Sequence, residues 1–132
     1  MMKPNRAGMV CFNAIGEVLV VTALGKENEW VFPKGHIEKE EAFFEAAERE
    51  TAEEANIKCF AIGVIGTTEF DYQGEHIVTE WWRGSAIRVL DLLSSPKTDE
   101  KRQVKWLPYK EALIILRFNE LKEILKKALC KV

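Results

Sequence analysis

Residues 34–57 constrain this chain more than any other stretch. A glycine, Gly35, leads into a run where Glu38 to Glu54 hold eight acids and only two bases, Lys39 and Arg49. At helical spacing Phe43, Ala47, Glu50 and Glu54 form one stripe, with Glu53 beside it, because residues three and four apart share a helix face. The stripe begins apolar, as a core-facing stripe should, and turns acidic after Ala47. Unpaired buried carboxylates are very unfavourable, so such a stripe implies a pocket wall with a bound cation. Hard oxygen ligands favour Mg²⁺, Mn²⁺ or Ca²⁺. The competing reading is a solvated acidic helix. That kind of helix usually sets Lys or Arg four residues after its Glu residues, and no Lys occurs between Lys39 and Lys58.

A chain of 132 residues is expected to form one domain, 1–132, around a single core. The net charge of −2 argues against a dedicated nucleic-acid binder. It leaves a nucleotide, or an RNA 5′ end, open as substrate, since bound metal would supply the positive charge. Cys11, Cys59 and Cys130 are odd in number and lack metal-ligand spacing. They read as reduced thiols of a cytoplasmic protein. Met1 to Met9 is polar, without an apolar signal segment, and no run reaches membrane-spanning length. A monomer or a homodimer fits equally.

Ala7–Ala14 and Val18–Ala23 read as two strands joined by a tight turn near Gly16-Glu17. Leu24–Glu29 reads as polar loop, Trp30–Phe32 as a brief strand stopped by Pro33, and Lys34–Glu40 as loop. The acidic helix is expected from about Glu41 to Ala55, with Glu41 and Glu45 in a first turn that the helix dipole favours. Ile57–Ile65 leans to β, and Thr67–Tyr72 and His76–Arg88 flank a hairpin turn at Gln73-Gly74-Glu75. Leu90–Glu100 reads as loop and Gln103–Leu107 as a strand. Pro108 starts a short helix, and Asn119 caps a last helix with Leu121, Leu125, Ala128 and Leu129 on its apolar face. This order predicts an α/β or α+β fold with a mixed sheet between helices.

The acidic segment resembles the signature of the Nudix hydrolases. That signature runs Gly, five residues, Glu, seven residues, Arg-Glu, an apolar residue, any residue, Glu-Glu, any residue, Gly, an apolar residue. Gly35, Glu41, Arg49, Glu50, Glu53, Glu54 and Ile57 stand in register with it. Two positions depart. Thr51 replaces an apolar residue. Asn56 replaces the glycine that would end the helix at positive φ, and Asn is the next residue to tolerate that conformation. The resemblance implies a Nudix-type α/β/α sandwich with a mixed central sheet.

It also implies a divalent-metal-dependent hydrolase that cleaves a diphosphate linkage, with Mg²⁺ or Mn²⁺ as cofactor and a small nucleotide as substrate. Glu50, Glu53 and Glu54 fall on the family's metal-binding and base positions, Glu50 and Glu54 as metal ligands and Glu53 or Glu50 as general base. Arg49 would orient a carboxylate, with Glu41 its partner or a helix cap. The backbone carbonyl of Lys34 falls where related enzymes give the metal a main-chain ligand, and Gly35 lets the backbone approach closely. The run Phe32-Pro33-Lys34-Gly35-His36 resembles the diadenosine tetraphosphate hydrolase branch, and Lys34 and His36 would hold phosphates. Glu100 lies six residues before Trp106-Leu107, where that branch has a further carboxylate. Tyr72, His76, Trp82 and Phe118 are candidates to stack a base; Trp81 and Trp82 must point to opposite faces of a strand. The leading expectation is a dinucleoside polyphosphate hydrolase. A nucleoside triphosphate, an RNA 5′ end or a diphosphoinositol polyphosphate are alternative substrates, and a nucleotide sensor without catalysis is the alternative class.

Overall fold

The computed structural model describes residues 3–89 and 102–130; the expected loop Leu90–Glu100, and Glu100 with it, lies outside the described residues. Seven strands, β1 (Arg6–Phe12), β2 (Val18–Ala23), β3 (Lys26–Val31), β4 (Lys34–His36), β5 (Ile57–Tyr72), β6 (Glu75–Val89) and β7 (Val104–Leu107), accompany three helices, α1 (Phe43–Ala55), α2 (Tyr109–Ile115) and α3 (Asn119–Cys130). The sheet order is β3-β2-β1-β6-β5, with β4 also joined to β1 and β7 to β2. β1 runs parallel to β6, and the other pairings are antiparallel. The sheet is therefore mixed.

The continuous apolar run of β1 explains its central place. Ala7, Met9, Val10 and Cys11 are fully buried, as residues of a strand covered on both faces must be. The adjacent tryptophans mark the two layers. Trp81 is buried and meets Phe32 edge-on at 5.9 Å, whereas Trp82 meets Phe44 of α1 at 6.0 Å. Gly66, opposite Trp81 in the β5–β6 register, lies beside Ile124 and Lys127 of α3. α1 thus covers one face and α3 the other, which is the α/β/α sandwich. Burying a side chain such as Phe32 contributes about 2–3 kcal/mol, and the edge-on ring contact adds about 1 kcal/mol.

Several boundaries differ from the sequence expectation. Leu24–Glu29 is not simply loop: Gly25, at φ +74°, turns the chain so that β3 begins at Lys26 and pairs with β2. β3 is an edge strand, so its polar residues face water and leave no apolar alternation to read. Lys34–His36, expected as loop, pairs with Arg6–Gly8 of β1. Ile57–Ile65 and Thr67–Tyr72 form one strand, because bulges between Lys58 and Cys59, Ala61 and Gly63, and Val64 and Gly66 absorb the irregularity without ending it. α1 starts at Phe43, not Glu41. Glu40 sits at φ +68° in a turn, and Glu45 accepts from the Ala42 amide at 2.8 Å.

Two other expectations hold. Gln73 and Gly74, at φ +49° and +80°, make the tight turn between β5 and β6. Asn56 ends α1 at φ 57°, ψ 38°, in the left-handed region. Replacing Asn56 by Gly should therefore cost little, while Asn56→Ala, forced to the same φ with a Cβ and no side-chain amide, should be about 1 kcal/mol worse than the glycine variant. Urea unfolding of the three proteins measures this. Equal stability of the Ala and Gly variants would mean that backbone strain does not govern the position.

Candidate active site

The acidic stripe of α1 faces the start of β1. Glu50 and Glu54 are 4% and 8% exposed, and their carboxylates come within hydrogen-bond reach of each other. β4 holds Gly35 directly in front of them through its pairing with Ala7. A Cβ on residue 35 would land on the Glu50 carboxylate, so the absence of a side chain lets backbone and acid share that space. Gly8 allows a second close approach, since a Cβ there would strike the Trp81 ring and the Lys34 stem.

Arg49 organises the opening of this wall. Its Nε donates to Glu41 at 2.7 Å and its Nη2 to the other Glu41 oxygen at 3.0 Å. Nη1 reaches Glu50 at 3.0 Å and Glu53 at 3.1 Å, and Nη2 also donates to the His36 carbonyl at 2.8 Å. One planar guanidinium thus ties the turn before α1, the helix and β4 together, a task that suits a fork of five donors. The hydrogen bonds from Arg49 hold the Glu41 carboxyl below its ordinary range.

Two cations, Arg102 and Lys34, stand by the acidic pair, and a third, Arg6, stands by Lys34. Arg102, which enters β7, lies 3.6 Å from Glu54 and donates to the Thr22 carbonyl at 3.0 Å. Lys34 is half-buried; burial pushes its ammonium down, Glu54 partly offsets this, and the charges of Arg6 and Arg102 add to the push. Arg6 is 7% exposed and pairs with Glu75 at 3.2 Å. Burial raises the Glu54 carboxyl well above its ordinary range, Glu50 adds to the rise, and Arg102 opposes it.

Glu50, Glu54, Arg49, Gly35 and Lys34, all named from sequence, are thus brought together. Glu53 lies beside them and accepts from the same Arg49 Nη1 that reaches Glu50. His36 is exposed and contributes its carbonyl. His76 stands at the β5–β6 hairpin between Asp71 at 2.6 Å and Glu69 at 2.9 Å, and those two bonds raise its pKa. Tyr72 is 55% exposed at the same tip. Trp82 packs on Phe44 and donates to Glu80, and Phe118 stacks under Arg117, so neither is drawn to the acidic pair. Sequence reading missed Arg6 and Arg102. Arg6 had a signal: it shares a strand face with Gly8 and Val10 in an otherwise apolar run. Arg102 had none.

Among the described residues no group of three His, Cys, Asp or Glu side chains is arranged as a metal cage. The donor set still suits a hard cation, because two buried carboxylates in contact need either a shared proton or a positive charge between them. In metal-free buffer Arg49, Arg102 and Lys34 supply positive charge, and a proton is the remaining way to relieve the pair. The raised Glu54 pKa means that the folded state holds this proton more tightly than the unfolded state, so stability falls as pH rises above the ordinary carboxylate range. Melting in a chelator should therefore drop by about 4 °C or more between about pH 5 and about pH 8. Glu54→Gln should flatten that slope, and an unchanged slope would show that Glu54 does not hold the proton.

Comparison with known proteins places this geometry. A family model described as the NUDIX domain matches residues 2–128. Nudix hydrolase 12, mitochondrial, from Arabidopsis thaliana is 32% identical over 119 residues, covering 86% of this chain and 58% of that protein. The chain thus spans less than two thirds of that relative's length. The asymmetrical bis(5′-nucleosyl)-tetraphosphatase of Caenorhabditis elegans is 27% identical over 133 residues, covering 96% of this chain and 94% of that protein. The crystal structure of a C. elegans Ap4A hydrolase binary complex superposes with a TM-score of 0.76 at 25% identity, covering 96% of this chain and 95% of that one. The buried glutamates facing Gly35, the sandwich that holds them and a family match over nearly the whole length lead to one conclusion: this chain belongs to the Nudix hydrolase family.

Proposed function

We propose that the chain is a divalent-metal-dependent pyrophosphohydrolase that cleaves a phosphoanhydride bond in a dinucleoside polyphosphate such as diadenosine tetraphosphate. The observation that carries this reading is the buried Glu50–Glu54 pair, set against Gly35 with Lys34 and Arg102 beside it and Arg6 next to Lys34. Acids able to hold a cation stand beside cations able to hold phosphate. When bound, Mg²⁺ or Mn²⁺ supplies positive charge for the phosphate oxygens and acidifies water. Glu50 and Glu54 would hold it, with the main-chain carbonyl of Lys34 and, from the segment before Arg102, Glu100. Arg49 keeps Glu50 and Glu53 aimed, and Glu53 or Glu50 takes the proton of the attacking water. Lys34 pairs with a phosphate oxygen. The free thiols Cys11, Cys59 and Cys130 support a reducing, cytoplasmic setting.

The Phe32-Pro33-Lys34-Gly35-His36 run and the likeness to the C. elegans tetraphosphatase support the dinucleoside substrate. A second reading, a diphosphoinositol polyphosphate, draws support from Arg6, which is buried, and Arg102 and Lys34, which are partly buried, since three cations suit a densely charged ligand. Two experiments test these readings. Glu54→Gln changes little volume but removes one acid, and should lower turnover by about 10²-fold or more while the fold survives; wild-type turnover by that variant in Mg²⁺ would remove the metal assignment. Across a substrate panel, diadenosine tetraphosphate should be cleaved to ATP and AMP with higher kcat/KM than ATP or ADP-ribose. Lys34→Met should hurt the four-phosphate substrate more than ADP-ribose, which has two phosphates to share among metal and lysine. A tenfold advantage for a diphosphoinositol polyphosphate would select the second reading and defeat the first.

A further inference from the structure

A cleft of about 340 Å³ lies at the other end of β1 from Gly35, lined by Phe12, Asn13, Gly16, Ile62, Arg83, Ser85 and their neighbours, with Leu129 of α3. Gly35 pairs with Ala7, so Phe12 is five residues further along the strand, roughly 17 Å away at 3.3 Å per residue. Trp81 and Val10, buried between the two places, separate the cleft from the acidic pair. Its volume is in the range of small-molecule sites.

Arg83 is what makes this cleft more than a surface hollow. Its guanidinium lies over the Phe12 ring at 5.2 Å. Its Nε is buried and has no hydrogen-bond acceptor, and among the described residues no carboxylate lies within ion-pair range of it. The Glu17 carboxylate, in the turn between β1 and β2, accepts from the Asn13 amide at 3.0 Å. Arg83 is only partly buried and lines the cleft, and a guanidinium there without a carboxylate partner among the described residues is a group that an anion would satisfy. Opposite Arg83 the β5 bulge between Ala61 and Gly63 pushes Ile62 outward, 61% exposed, where it forms an apolar rim facing Leu129.

We infer that this cleft is a second ligand site that binds a small organic anion, with Arg83 pairing with its phosphate or carboxylate and Phe12, Ile62 and Leu129 lying against its apolar body. The site is separate from the acidic pair, so its occupancy is independent of the hydrolytic reading. The test is a ¹H–¹⁵N titration of the intact chain, following the Arg83 Nε–Hε resonance and the amides of Gly84 and Ser85, with inorganic phosphate, AMP and benzoate as probes. A saturable shift with AMP assigns an organic phosphate; one with benzoate assigns a carboxylate. Either response should weaken about tenfold in Arg83→Gln and disappear in Ile62→Trp, which fills the cleft from an exposed position and leaves the core alone. Shifts in the Gly84 and Ser85 amides that survive both substitutions come from elsewhere and overturn the inference. So does silence with all three probes, or a response to inorganic phosphate as strong as to the organic anions.

Discussion

Two carboxylates that touch inside a protein wall set the terms for everything near them. Glu50 and Glu54 are both nearly buried and within hydrogen-bond reach of each other. Left as two negative charges they would repel strongly at low dielectric. The surroundings are built to bear this. Arg102 sits by Glu54, Arg49 by Glu50, and Lys34 faces both from β4. Gly35 gives Glu50 its room. The strained pair is tolerable because three elements, α1, β4 and the entry to β7, each contribute a counter-charge or a missing side chain.

The same arrangement separates two tasks. Arg49 is spent on geometry: it fixes Glu41, Glu50, Glu53 and the His36 carbonyl in one plane of donors, and it stands at the mouth of the wall. Lys34 and Arg102 stand at the inner end, with Arg6 beside Lys34, and burial, with the charges of Arg6 and Arg102, holds the Lys34 pKa down against the pull of Glu54 and Glu50. A polyanion entering there would stabilise the buried ammonium, while a metal would stabilise the ionised Glu54 carboxylate. The two needs are complementary, which is why an acidic chain of net charge −2 can still suit a phosphate-rich substrate.

Much of this was legible in the chain itself. The helix and its acidic face followed from spacing, because the period of 3.6 residues leaves no other way to place Ala47, Glu50 and Glu54 together. The left-handed Asn56 followed from what a helix end requires. The three-residue β4 was hidden because its pairing with Arg6–Gly8 is a tertiary event with no periodicity of its own. The first four residues of β3 were hidden because they are polar and largely exposed on an edge strand, whereas Trp30 and Val31 were read as strand. Arg102 was invisible for another reason: it reaches Glu54 across 48 residues of sequence, through the pairing of β7 with β2. Glu53 shows what a one-dimensional motif leaves out, since its position in the run could not reveal that it shares the Arg49 Nη1 with Glu50.

The central claim is that the Glu50–Glu54 wall holds a hard divalent cation. Mn²⁺ binding, followed by the loss of the free-ion electron paramagnetic resonance signal, tests this without any assumption about substrate. The account predicts saturable binding of at least one ion per chain, competed by Mg²⁺ and lost when Glu50 and Glu54 are both replaced by Gln. Mn²⁺ that stays free at millimolar concentration, or binding that the double replacement leaves intact, would contradict it.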